Sequence, residues 1–330
     1  MKFPELFYLN LQLFAEPNTN TTLDAGLSVE NKTHYDMTLI DEATPQLVHD
    51  QFAQKRPIPK NGGKKIEFRK FASLPKALTP LTEGVTPDGK KLSASKIEAE
   101  VAQYGDYVVL SDILDLTSID PIVVEATKVI GRQAGLTLDT ITRNIMHSGT
   151  NVYYAPKADG TTVDSRAGLD ATCKLTVDLV RRVAAFLKAN NAPKIGNSYV
   201  AIIHPFAAYD LMSDDEWKYP HQYKDTQNIY EGEIGEIAGV RFVETSEAKI
   251  YDGGVFGTLF LAEGAYGTTE ITGGGLETII KQLGSAGVAD PLNQRSSVGW
   301  KANKTAEILI EAYMVRVEHK STFSADIEAN

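Results

Sequence analysis

Two stretches of the chain alternate hydrophobic and polar positions. Ile66 and Phe68 are interleaved with Glu67 and Arg69, and Ile97, Ala99 and Val101 with Lys96, Glu98 and Glu100. A period of two is that of a strand with one buried face. Two strand-like arms are therefore predicted, the first reaching Leu74. The link between them, "PKALTPLTEGVTPDGKKLSAS", is rich in Pro, Thr and Gly and long for a connection inside a compact domain. It predicts a projecting hairpin whose tip packs elsewhere. Just beyond, Tyr107 to Leu110 is continuous enough to be a strand buried on both faces, with Gly105 permitting a bulge or kink.

The helical period is clearest from Pro121 to His147. Ile122, Ala126, Val129, Ile130, Ala134, Leu138, Ile141 and Ile145 form one apolar stripe, Asp120 is the expected N-cap, and Pro121 fits the first helical position. At about 1.5 Å per residue such a helix is roughly 40 Å long, longer than a small domain is wide. A spine joining two lobes is expected. A shorter helix is predicted from Pro45 to Gln54, with Leu47, Val48 and Phe52 on one face, broken by "RPIPKNGG". From Thr176 to about Gly267 the pattern reads as a second lobe: a helix, the strand "SYVAIIHP", a helix opened by Pro205, and two more strands. Ile308, Ile310 and Ala312 against Leu309 and Glu311 predict one long final strand. The class is α+β, without internal repeats.

Composition bounds the rest. The chain has 330 residues, 42% of them hydrophobic, and a formal net charge of −10. That length suggests about two domains. No run approaches the roughly 18 apolar residues of a membrane span. "FPELFYLNLQLFA" near the N-terminus is interrupted by Glu5, Asn10 and Gln12, and is read as a docking arm rather than an export signal. "EPNTNTTLDAGLSVEN" after it is polar and aperiodic, expected to be extended or disordered. The lone Cys173 excludes an internal disulfide, so the fold owes nothing to an oxidising compartment. The charge is lopsided: Lys55 to Lys96 holds eleven Lys and Arg against three Asp and Glu, which is +8, leaving −18 for the remainder. Such a segment suits nucleic acid, plain solvent exposure, or the acidic surface of another copy of the chain.

Catalytic chemistry is not apparent. The six histidines are scattered without metal-ligand spacing. His204, before Pro205, reads as a capping or packing residue. Cys173 has no flanking base and reads as a buried or idle thiol. "GVTPDGKK", Gly84 to Lys91, fits GxxxxGK, but Lys91 stands where Ser or Thr would hold magnesium and Pro87 removes an N–H. The segment after Lys91 reads as strand rather than helix, so turn chemistry explains the match. Catalytic, metal-binding and cofactor-binding residues are all expected to be none.

The order of parts, and several phrases, resemble the major capsid proteins of tailed bacteriophages with the Hong Kong 97-type fold. The phrases are "LNLQLFA" from Leu9, "QFAQKRPIPKNGGKKIEFRKF" from Gln51, "LTPLTEGVTPDGKKL" from Leu78, "QYGDYVVLSDILDLTSIDP" from Gln103 and "AGLTLDTITRNIMHSGTNV" from Ala134. The resemblance runs from about Lys32 to Thr322. It implies an N-terminal arm over 1–54, an extended E-loop hairpin over 55–112, a peripheral (P) domain with its spine helix over 113–175, an axial (A) domain over 176–267, and return strands over 268–330. It implies a shell protein that encloses phage DNA without sequence-specific binding, assembles with itself as hexamers and pentamers in the bacterial cytoplasm, and ends in the virion. A portal and, because the region before the hairpin is short, a separate scaffolding protein are implied partners; a membrane is not. The expected subunit interface is Lys64, Lys65, Arg69, Lys70, Lys90, Lys91, Tyr104 and Gly105. Some relatives join a hairpin lysine covalently to a neighbour's asparagine, and Lys90 or Lys91 stand where such a lysine might. An encapsulin-like compartment, which shares the fold, and a nucleic-acid-binding module are the alternative readings.

Overall fold

A computed structural model describes residues 19–20, 48–71, 74–81, 83–86, 88–119, 122–217, 235–272, 275–285, 287, 290–323 and 327–330, without the side chains of Thr19, Asn20, Lys70, Phe71, Ser95 and Val124. The expected N-cap Asp120, Pro121, Pro45 to Leu47 and the arm before Thr19 lie outside the described residues.

In chain order, the first elements are β1 (Thr19–Asn20), β2 (Gln54–Lys55), β3 (Lys65–Phe71), β4 (Ala94–Glu100), β5 (Ala102–Ser111), α1 (Asp112–Thr117) and α2 (Ile122–Met146). Then come β6 (Val152–Tyr154), α3 (Val177–Ala189), β7 (Tyr199–Ile203), α4 (Pro205–Ser213), β8 (Glu236–Ile237) and β9 (Val240–Glu244). The chain finishes with β10 (Ile250–Tyr251), β11 (Val255–Leu261), β12 (Tyr266–Thr269), β13 (Glu277–Lys281), β14 (Arg295–Ile308) and β15 (Met314–His319). The mixture of α and β is as expected. It divides into two compact units: Gly105–Gln133 and Glu277–Lys301 with part of Met1–Glu42, and Ala43–Tyr104, Ala134–Leu276 and Ala302–Asn330.

The larger unit is built on a sheet ordered β6-β15-β11-β7-β9-β8, with β10 added to β11. Every residue of β7 and β11 is buried, because both faces are covered. Ala201, Ile203 and Phe260 point into a core with Val180, Val183 and Leu187 of α3 and Leu211 of α4. Ile202, Leu259 and Leu261 point the other way, onto Met146 at the end of α2 and onto Tyr266 and Met314. Helix α3 starts where Thr176 Oγ1 accepts from Leu179 N. Helix α4 starts at His204, whose Nδ1 accepts from Phe206 N, with Pro205 in the first turn, so His204 is the expected cap.

Three expectations are corrected by the fold. Residues 48–53 form turns rather than a helix, and Gln54–Lys55 joins β12 as a parallel strand. Pro57 and Pro59 follow too soon for a helix to gain packing that offsets its nucleation. The long final strand is two strands, β14 and β15, separated by a 3-10 turn at Glu311–Tyr313 that lets the chain leave β12 and join β11. Tyr107 is 63% exposed, and only Val109 and Leu110 of its run are buried.

In the smaller unit β13 pairs antiparallel with the first half of β14, and β5 lies beside β14. Gly105 is there because a Cβ would stand 2.6 Å from the Trp300 carbonyl oxygen. It marks close backbone approach. Gln133 spans the neighbourhood, accepting from Trp300 Nε1 at 3.4 Å and donating to Asp106 at 2.7 Å.

The larger unit also buries ionisable groups that sequence reasoning missed. Glu318 is fully buried and receives Arg166 through two bonds of 2.7 Å, with Arg316 at 3.0 Å. The Arg166 guanidinium also lies 3.6 Å over the Tyr251 ring. His49 and Asp139 are buried together at 2.6 Å, and Tyr266 donates to the His49 carbonyl at 2.5 Å. His319 is sealed between Thr258, 2.8 Å from Nε2, and the Lys320 carbonyl, 3.0 Å from Nδ1. That carbonyl can only accept, so Nδ1 carries the proton and Nε2 accepts from the threonine hydroxyl.

Burial pushes the His319 pKa down to about 4, and that of His147 well below its ordinary value. As pH falls through the ordinary value of about 6.5, the unfolded chain takes up protons that the folded chain refuses. The stability that His319 contributes is thus complete above about pH 6.5 and declines until about pH 4, by on the order of 3 kcal/mol. Melts of the protein and of His319→Gln at pH 7 and pH 5 check this. The variant should lose less stability across that interval, and an equal loss would refute the assignment.

Candidate subunit-docking hairpin

Among the described residues, strands β3 and β4 pair only with each other, in a register that sets Lys65 opposite Glu100, Ile66 opposite Ala99, Phe68 opposite Ile97 and Arg69 opposite Lys96. Partners across an antiparallel pair share a face. One face therefore holds Ile66, Phe68, Ile97 and Ala99; the other holds Lys65, Glu67, Arg69, Lys96, Glu98 and Glu100. A one-residue slip would bring polar residues of one arm onto the apolar face of the other, so the alternation excludes it.

The apolar face packs on its own chain. Phe68 is 4% and Ala99 1% exposed. Gly267 of β12 has no side chain because a Cβ there would stand 3.0 Å from the Phe68 ring. Val101 N donates to the Lys64 carbonyl at 2.9 Å and closes the base of the hairpin. A cavity of about 160 Å³ remains beside Phe68 and Ile97, lined also by Arg56, Leu309 and Ile310.

The polar face is satisfied within the hairpin. Lys96 bridges Glu98 at 2.6 Å and Glu67 at 3.3 Å, Arg69 lies 3.6 Å from Glu67, and Lys65 3.8 Å from Glu100. The hydrogen bond to Glu98, and then that to Glu67, raises the Lys96 pKa, and Lys96 lowers that of Glu98. Glu98 and Glu100 follow directly on Lys96, the last of the eleven cations. Their alternation with Ile97 and Ala99 was the available sign that they belong to the same face.

The eight expected interface residues do not form one patch. Lys64 is exposed at the base, and Lys65 and Arg69 lie on the paired polar face. Lys70 is in register with Ser95, but its side chain is outside the described atoms. Lys90 and Lys91 sit in the exposed loop, where Lys90 Nζ reaches the Pro75 carbonyl at 3.4 Å. Tyr104 is half-buried on β5, and Gly105 backs onto Trp300.

Every described residue from 74 to 94 is exposed. This includes Leu74, expected inside the first arm, and also Leu78, Leu81, Val85 and Leu92, which the sequence reading did not single out. The GxxxxGK match lies in this loop, and the element after it is β4 rather than a helix. Cys173 is buried, with its Sγ 3.5 Å from Asp170 Oδ1. Among the described residues no group of three or more His, Cys, Asp and Glu could hold a metal ion. Nor is any described helix long and apolar enough to cross a membrane.

A phage capsid protein family matches residues 122–258. No curated protein matches the chain. Among solved structures, the capsid of the cyanophage P-SCSP1u superposes with a TM-score of 0.65 at 13% identity, covering 83% of this chain and 88% of that one. The capsid of Ralstonia phage GP4 gives 0.63 at 14% identity, over 84% and 89%. The encapsulin of a holo-SrpI complex from Synechococcus elongatus gives 0.53 at 9% identity, over 84% and 89%. The fold is shared with all three, and the family match runs through α2, α3 and β7. Residues 122–258 thus match a phage capsid protein family, and the chain as a whole shares its fold with phage capsids.

Proposed function

We propose that this capsid protein closes the icosahedral head around phage DNA as hexamers and pentamers, with the hairpin of β3 and β4 reaching over an adjacent copy. The observation that carries this reading is a hairpin anchored at its base by Phe68 and exposed throughout its loop. A connection of this length with no packing of its own is rare in a compact domain and common where a segment serves a partner. The hairpin is the E-loop over 55–112, α2 the spine of the P domain over 113–175, and 176–267 the A domain, with the arm over 1–54 and the return strands over 268–330. Of the expected interface residues, Lys90 and Lys91 in the loop, with Lys64, Lys65 and Arg69 on the arms, face the neighbour.

The acidic remainder suits the wall of a DNA container, since strong attraction for phosphate would hinder packaging and release. A portal and a separate scaffolding protein complete assembly in the host cytoplasm. Electron microscopy of the purified protein, alone and with its scaffold, tests the reading: closed shells are expected, and a strict monomer in every condition would overturn it. The encapsulin fold match supports a second reading, a compartment for protein cargo, and shells containing DNA rather than protein would separate the two.

The protein is structural rather than catalytic. Covalent joining of a lysine to an asparagine needs a desolvated amine beside a carboxylate base, whereas Lys90 and Lys91 are exposed in a Pro- and Gly-rich loop. Denaturing gels of mature particles should show a single monomer band. A ladder of multimers would contradict this.

A further inference from the structure

The hairpin's charges are concentrated away from its tip. Residues 74–92 carry Lys76, Lys90 and Lys91 against Glu83 and Asp88, a net of only +1. The same segment exposes Leu78 (82%), Leu81 (77%), Leu92 (70%), Val85 (63%) and Leu74 (51%). Scattered single apolar residues on a surface need no explanation, but five in one near-neutral loop are the mark of an interaction surface. None is an aromatic ring on which a base could stack, which argues against nucleic acid as the partner. The polar face of the arms, meanwhile, is already paired within the hairpin, and exposed pairs of that kind contribute little.

We propose that the loop holds a second copy of this chain by apolar contact. Leu78, Leu81 and Leu92 are the anchors buried against that copy, while the lysines around them steer and orient the approach. This rests on the reading that the hairpin reaches a neighbour, and adds which of its residues supply the affinity. A second copy is the occupant because the loop continues directly from the hairpin given that role, and because residues 55–100 carry a net +6 while the remainder of an identical chain carries −16. Electrostatic complementarity of this kind sets encounter rate and orientation more than affinity, which comes from a few desolvated anchors. The loop is also prepared for docking. Pro75 and Pro80 fix their own φ and restrict it, so less freedom is lost on binding.

The test compares three full-length proteins: the parent, the triple variant Leu78→Ser, Leu81→Ser, Leu92→Ser, and the double variant Lys90→Gln, Lys91→Gln. Sedimentation gives the concentration at which each assembles, at 0.1 M and 1 M NaCl. Burying one leucine is worth at least about tenfold in association, so the triple variant should need at least a hundredfold higher concentration. Its melting temperature as a monomer should match the parent's. The lysine variant should shift less than tenfold, and the parent should still assemble at 1 M salt, where exposed charges are screened within about 3 Å. The proposal is overturned if the leucine variant assembles like the parent, or if 1 M salt dissolves the parent's assemblies. A leucine variant that melts early also overturns it, since the loop would then belong to its own subunit's core. A parent that never associates, even with scaffold, removes the underlying reading and the proposal together.

Discussion

Replacing Arg69, Lys70, Lys90 and Lys91 together with glutamate should yield a folded monomer that fails to close shells. The substitutions change the hairpin by eight charge units and carry the chain from −10 to −18. An arm that had approached an acidic neighbour as a cation would approach it without that attraction, and with new carboxylates facing carboxylates. Like charges brought together across an interface cost several kcal/mol, whereas a single exposed pair contributes about 0 to 1 kcal/mol. Reversal is therefore a far harsher change than neutralisation. The monomer should tolerate it, because surface changes usually stay within about 0.5 kcal/mol each. Arg69 loses only a partly exposed contact with Glu67. Light scattering during assembly, beside a thermal melt, reads both halves of the expectation. Salt should partly rescue the variant by screening the repulsion. Normal assembly of the reversed protein would show that the hairpin does not meet an acidic surface.

The largest effect on folding is expected at Glu318. Its carboxylate is fully buried beneath the Arg166 fork and beside Arg316, whose side chain is only 12% exposed. Removing one partner of a buried pair strands the other charge, at a cost of about 3 to 5 kcal/mol. For a chain of this size Glu318→Ala should lower the melting temperature by roughly 10 °C. Arg166→Gln should cost much less, since Arg166 is 41% exposed and Arg316 still compensates the carboxylate. Adding Arg316→Met to Glu318→Ala should recover part of the loss, because it removes the stranded cation. Calorimetry of the four proteins checks this order, and a small effect of Glu318→Ala would mean that water reaches the cluster.

The alternation of Ile66 and Phe68, and of Ile97 and Ala99, contained the two arms and their buried face. A one-residue slip would set Glu98 beside Ile66, so local pattern determined which residues share the buried face. The long stripe from Ile122 likewise determined α2, and Thr176 and His204 each announced a helix start that their side chains then capped. These features depend on near neighbours in the chain. The same is true of the family, since the phrases that carry the resemblance are continuous runs.

What required the tertiary structure depends on residues far apart. Glu318 meets Arg166 from 152 positions away, and His49 meets Asp139 from 90. No spacing rule reaches such distances. The break at Glu311–Tyr313 arises because the two halves of one apolar run serve different partners, β12 before it and β11 after it, while the run itself reads as uniform. Burial decided the meaning of the hairpin in the same way. Phe68 and Leu78 are both apolar residues in a basic segment, yet one lies on Gly267 of its own chain and the other is 82% exposed. Periodicity records that a residue is apolar and which way its strand turns it. Which surface covers it is set by the rest of the fold, because burial is a property of what is brought near and not of the residue.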